Sequence, residues 1–105
     1  MKRVIKIEIL GHPWTVRVLT KAVFERRFNK STLAICIGYK KTIYLCSTEI
    51  SFETVCHELT HAFFSEMGTN SASLSGEQLE EVACDLVSKY GGRILELAGR
   101  VMYSK

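Results

Sequence analysis

The spacing of the apolar residues changes once along this chain, near Ser51. Before that point they recur mostly at every second position, and after it at every third or fourth. A period of two puts one face of a strand into a core, and a period near 3.6 does the same for a helix. A chain that runs strands first and helices afterwards is expected to be α+β. A length of 105 residues fits a single domain over residues 1–105, with enough chain to bury a core without staples.

Residues 4–10 read as a strand, with Ile5, Ile7 and Ile9 on one face and Lys6 and Glu8 on the other. Gly11-His12-Pro13 is a turn signal,. Residues 14–19 resume the alternation, with Val16 and Val18 inward and Arg17 outward, so the pair is expected to be a hairpin,. Residues 20–29 fit a short helix starting near Thr20, and equally an extended connection. Residues 33–38 and 42–46 are β-rich and flank Tyr39-Lys40-Lys41, which suits the exposed turn of a second hairpin,. The expectation is a small sheet of about four strands, mostly antiparallel.

The helical half carries its own punctuation. Ser51 is placed to cap a first helix, Glu53 suits its positive start, and Gly68 suits its end,. Residues 69–74 read as a loop. Ser75-Gly76-Glu77-Gln78 matches a capping box, and a second helix is expected from about 76 to 90,. Gly91-Gly92 is expected to break or kink it, leaving 93–103 as a third helical stretch,.

Within the first helix stands His57-Glu58-Leu59-Thr60-His61. Helical residues four apart lie on one face, with Cβ atoms about 5–6 Å apart. His57 and His61 can therefore present two imidazole nitrogens to one metal ion at about 2.0–2.1 Å. Glu58 beside them can accept a proton from a water. Phe52, Val55, Cys56, Leu59, Ala62, Phe63 and Met67 form the apolar stripe, and the two histidines fall opposite it. The chain has three histidines, and two are here. The third, His12, reads as a surface residue.

The second helix is expected to supply a third ligand. Glu81 and Asp85 are four apart, roughly opposite the stripe of Leu79, Val82, Ala83, Leu86 and Tyr90. Three protein ligands would leave an open position, as catalytic zinc sites do. Glu80 points about 100° from Glu81 and lies nearer the stripe. Other side chains that could stabilise an oxyanion are Tyr39, Tyr44, Tyr90 and His12, and none has a spacing that singles it out.

Charge and cysteines narrow the setting. Residues 1–50 hold ten Lys/Arg and three Asp/Glu, and residues 51–105 hold four and eight. The first half reads as a solvated basic face. It lacks the basic motif interleaved with aromatics that nucleic-acid binding would need, so a nucleic-acid partner is disfavoured. Cys36, Cys46, Cys56 and Cys84 form no Cys-x-x-Cys pair and read as reduced, mostly buried thiols,. No apolar run reaches the ~18 residues of a membrane span. The N-terminus alternates charged and apolar residues, unlike a signal peptide. A cytoplasmic location is expected.

His57-Glu58-Leu59-Thr60-His61, then Glu81 twenty residues on and Asp85 four further, resembles the gluzincin pattern. With the preceding hairpin and β-rich segment, the chain is similar to the short ImmA/IrrE-type metallopeptidases, many of them from phages and mobile elements. The resemblance spans about residues 42–90. It implies a zinc peptidase with His57, His61 and Glu81 as ligands, Glu58 as general base, and Asp85 supporting a ligating histidine. It also implies a peptide or protein substrate added as a strand along 33–38 or 42–46. Thr60 stands where some members have glycine, and these 105 residues are expected to hold no DNA-binding domain beside the motif. The other reading kept open is a zinc-binding regulatory or inhibitor protein that sequesters a partner without cleaving it.

Overall fold

In the computed structural model, residues 3–28, 32–68 and 74–103 are described. The four expected strands are all present: β1 (Arg3–Ile9), β2 (His12–Leu19), β3 (Ala34–Ile37) and β4 (Thr42–Cys46). Between β2 and β3 lies α1 (Lys21–Arg27), and a 3-10 turn (Gly38–Lys40) joins β3 to β4. The helices α2 (Phe52–Glu66) and α3 (Gly76–Tyr103) complete an α+β fold. The expected loop over 69–74 falls mostly outside the described residues.

The sheet has the order β1-β2-β4-β3. β1 with β2 and β3 with β4 are antiparallel, as the two hairpins require. β2 and β4 join the hairpins side by side and run parallel. Both faces of the sheet are covered. Ile5, Ile7, Ile9, Trp14, Val16, Val18, Ile43 and Leu45 pack against α2 and α3. Leu19, Tyr44 and Cys46 meet Phe24 of α1 on the other face. All five residues of β4 are buried, because this strand is internal and covered on both sides,.

Two local expectations shift. The β1–β2 turn is Leu10-Gly11, with φ of 50° and 83°, so His12 and Pro13 already belong to β2. Two residues with positive φ match the twist of a tight hairpin, and Gly11 adopts that region without strain. Pro13 lies ahead of Thr15, where pairing to β4 begins, so its missing N–H breaks no bond there,. The stretch after β2 resolves as helix over Lys21–Arg27: Thr20 caps α1, accepting from the Val23 N–H at 3.4 Å. Phe24, Phe28 and Tyr44 form a ring cluster with centroids 4.9 and 5.1 Å apart, and the Arg27 guanidinium lies over Tyr44.

The caps of the long helices follow the sequence closely. Ser51 Oγ accepts from the Thr54 N–H at 3.1 Å. Gly68 closes α2 at φ 76°. Ser75 and Gln78 make the reciprocal capping box, at 2.9 and 3.1 Å. Gly91-Gly92, however, does not break the helix: α3 runs uninterrupted for 28 residues. Leu86 before the glycines and Ile94, Leu97, Ala98 and Val101 after them are all buried, and Tyr90 packs on Phe63 with centroids 5.5 Å apart. Packing on both sides of the pair outweighs the cost of about 1 kcal/mol per helical glycine.

α2 is tied to the sheet at its C-terminal end. Glu66 accepts hydrogen bonds from Trp14 Nε1 at 2.6 Å and from Lys41 Nζ at 2.5 Å, and His12 lies 3.7 Å away. Lys41 was expected to be simply an exposed turn residue; instead its αL backbone and its ammonium both serve this clamp. Burial alone would raise the Glu66 carboxyl. The hydrogen bonds from Lys41 and Trp14 and the charges of Lys41 and His12 outweigh it and hold the carboxyl below its ordinary range,.

Among the described residues no helix is long and apolar enough to cross a membrane. Two stability measurements check the fold. A Cβ at Gly92 would meet nothing within 4 Å. Gly92→Ala should therefore stabilise by about 1 kcal/mol in urea unfolding; no gain would mean that the helix is broken there in solution. Glu66→Ala should cost about 2 kcal/mol at neutral pH. Since the folded carboxyl sits below its unfolded value, that contribution is complete above the unfolded pKa and fades as pH falls through the folded one. The gap between wild type and variant should close on acidification.

Candidate active site

α2 lies against β3, and the motif faces the space between them. His57 and His61 are exposed, with ring centroids 4.9 Å apart and planes at 77°. The next residue along from His57 turns by about 100° toward the core, so Glu58 is buried, at 7% exposure. Alternation along β3 sends Ala34 and Cys36 to the α2 face and Ile35 and Ile37 to the α1 face.

Two adjoining hollows result. One, of about 370 Å³, is lined by Thr32, Leu33, Ala34, Glu53, Thr54, His57 and Glu58. The other, of about 310 Å³, is lined by Ala34, Ile35, Cys36, Gly38, His57, Glu58 and His61. They share Ala34, His57 and Glu58, and so form one trough along β3 with Glu58 at its middle.

Glu58 is electrostatically unusual. Burial raises its carboxyl, while the charges of His57 and His61, when protonated, pull it down; burial wins,. It accepts no hydrogen bond from the described residues, and its oxygens keep a path to the trough. Cys36 across the trough is pushed up to about 12, first by burial and then by the Glu58 charge. It is therefore a neutral wall of the trough rather than a thiolate.

The remaining candidates lie elsewhere. Glu81 is exposed on α3 and lines a different hollow, with Leu74, Ser75, Glu77, Gln78 and Val82. Asp85 and Glu80 are exposed on the same helix. Among the described residues no group of three His, Cys, Asp or Glu is placed to hold one ion. The structure thus brings His57, Glu58 and His61 together and leaves Glu81 and Asp85 apart from them. The reason is the unbroken α3, whose first buried residue is Leu86, so the turns carrying the carboxylates stand clear of the core.

Of the other donors considered, Tyr44 belongs to the α1 cluster, Tyr90 to Phe63, and His12 to Glu66. Tyr39 is exposed and does not line the trough, although its sequence neighbour Gly38 does. Reading the sequence alone did not assign Cys36 or Glu53 to the site. Only the alternation of β3 could have pointed to Cys36, and Glu53 read simply as a first-turn acid. Cys84 is exposed, against the expectation of burial, while Cys46 is buried and Cys36 and Cys56 are half-buried.

A carboxyl raised in the folded state binds a proton more tightly there than in the unfolded chain. Its ionisation therefore destabilises the fold as pH rises from the unfolded value through the folded one. In chelator-treated protein, Glu58→Gln should be at least as stable as wild type at pH 7, and the two should converge below about pH 4. A variant markedly less stable at pH 7 would mean that Glu58 has a structural partner. Comparison with protein-family models, with curated proteins and with solved structures finds no match for this chain.

Proposed function

We propose that this protein is a zinc-dependent peptidase in which Glu58 is the general base. The observation that carries this reading is the Glu58 carboxylate: buried, raised by that burial, without a hydrogen bond from the described residues, and open to a trough that two histidines also line. Leaving a buried carboxylate unpartnered is costly for a fold. A base shifted toward the working pH is what proton abstraction from water requires.

The donor set suits zinc in kind. Two imidazoles four apart on one exposed helical face match its preference for nitrogen ligands,. When bound there, the ion would polarise the peptide carbonyl and stabilise the developing oxyanion. Glu58 takes a proton from the attacking water and delivers it to the leaving amine. The substrate backbone lies along β3. β4 is internal, so of the two segments considered only β3 offers an edge. The opposite edge is partly occupied, because Arg93 and Arg100 of α3 donate to the β1 carbonyls of Glu8 and Lys6. A peptide added to β3 would pass directly over Glu58.

Glu81 is the proposed third ligand and Asp85 the carboxylate that orients a ligating imidazole. Both would have to approach with the first turns of α3, and Gly91-Gly92 is where that helix bends most easily,. The separation of Glu81 from the histidines favours a second reading, a regulatory or inhibitor protein that uses the trough to sequester a partner without cleaving it.

Zinc titration and peptide cleavage separate the two. His57→Ala and His61→Ala should each lose stoichiometric zinc. Glu58→Gln should keep zinc and lose about 10²-fold or more in hydrolysis. Glu81→Ala should weaken zinc severely, Asp85→Ala by about 10–100-fold, and Glu80→Ala little. Zinc retained by the double histidine variant would sink the site. Tight binding of one protein, with no cleavage in a broad peptide library, would favour sequestration.

A further inference from the structure

We infer that the half of the trough beside Glu53 is a subsite for a basic side chain, lysine or arginine, of the bound peptide. The inference rests on the peptidase reading for the direction of the substrate along β3, but its chemistry is that of the hollow itself. At about 370 Å³ the hollow has the size of sites that hold small ligands, roughly 300–1,000 Å³,. Its walls are Leu33, Ala34 and the two threonines Thr32 and Thr54, which suit an aliphatic stem. Lysine and arginine cover apolar surface with such stems while their charged heads seek a polar partner.

Among the described residues two carboxylates line this hollow, and no Lys or Arg does. Glu53 is exposed in the first turn of α2 and makes no ion pair among the described residues. Glu58, nine-tenths buried and without a hydrogen bond from the described residues, lines the same space. Two features oppose a cation here: the positive N-terminal end of α2, equivalent to about half a charge, and His57, which also lines the hollow,. The full charge of Glu53 exceeds that of the helix end, and Glu58 adds to it. Glu53 is the exposed carboxylate of the two, so the strength of the preference depends chiefly on this one side chain. The other half of the trough shares Glu58 but has Cys36, Gly38 and His61 in place of Glu53, so among the described residues it lacks the second carboxylate. Selection is therefore expected on one side of the scissile position only.

The test uses the full chain, treated with a chelator so that nothing is cleaved, and amide chemical shifts in NMR. The probes are Nα-acetyl-arginine amide, Nα-acetyl-norleucine amide and Nα-acetyl-glutamate amide. The arginine probe should move the amides of Leu33, Ala34 and Thr54 saturably, and bind about threefold to fivefold tighter than the norleucine probe, the span expected of one exposed ion pair. The glutamate probe should bind most weakly. Glu53→Gln, with an otherwise superimposable spectrum, should erase the advantage of arginine. Equal binding of arginine and norleucine, shifts located elsewhere, or an arginine preference that survives Glu53→Gln would each overturn the subsite. Cleavage by zinc-loaded wild type of a peptide pool containing arginine is read separately. Glu53-dependent binding without any cleavage keeps the subsite and overturns the peptidase; cleavage without charge preference does the reverse.

Discussion

β4 is the strand on which the rest of the molecule depends. It is bonded on both edges and buried on both faces, so each of its five residues must match a neighbour. Ile43 and Leu45 reach into the larger core under α2 and α3, while Tyr44 and Cys46 reach into the smaller one under α1. A strand satisfied on both edges cannot receive a peptide. That pushes β3 to the rim of the sheet, next to the helix that carries both histidines. The position of the trough is thus a consequence of sheet order, and sheet order follows from which strand can tolerate full burial.

A second constraint holds α2 in place. A helix lying on a sheet can slide or rotate by small amounts unless something marks its register. Here the C-terminal end of α2 is held by Glu66 between Trp14 and Lys41, residues from β2 and from the junction of the 3-10 turn with β4. The clamp lies on the side of α2 away from its Ser51 cap, so both ends are defined. Between them Glu58 is buried as a residue, makes no hydrogen bond among the described residues, and keeps its oxygens open to the trough. An ionisable group held in that way is what the proposed role as a base requires.

α3 shows the opposite balance. Its C-terminal half is core, with Leu97, Ala98 and Val101 fully buried, whereas Leu79 and Val87 in the first part are 53% and 71% exposed. Helical propensity and the Ser75–Gln78 cap carry the backbone straight through two glycines, and the acidic face stays in solvent. Glu81 and Asp85 are therefore kept apart from the two motif histidines by the course of one uninterrupted helix, not by sequence distance.

Much of this was legible in the residues. Alternation marked all four strands to within a few positions, caps marked both long helices, and the histidine spacing marked the face of α2. These are local properties, set by backbone geometry over a few residues. What could not be read was anything that depends on which elements touch. Hairpin signals say nothing of how two hairpins join, so the parallel β2–β4 pairing and the rim position of β3 came only with the assembled sheet. Gly91-Gly92 reads as a break because glycine disfavours helix locally; packing on either side of the pair reversed that. Glu53 looked like an ordinary first-turn acid until β3 was seen opposite it. The sequence by itself determined the elements and the chemistry carried on α2. Only the tertiary structure decided what faces that chemistry, because facing depends on long-range burial, whose free energy no local pattern contains.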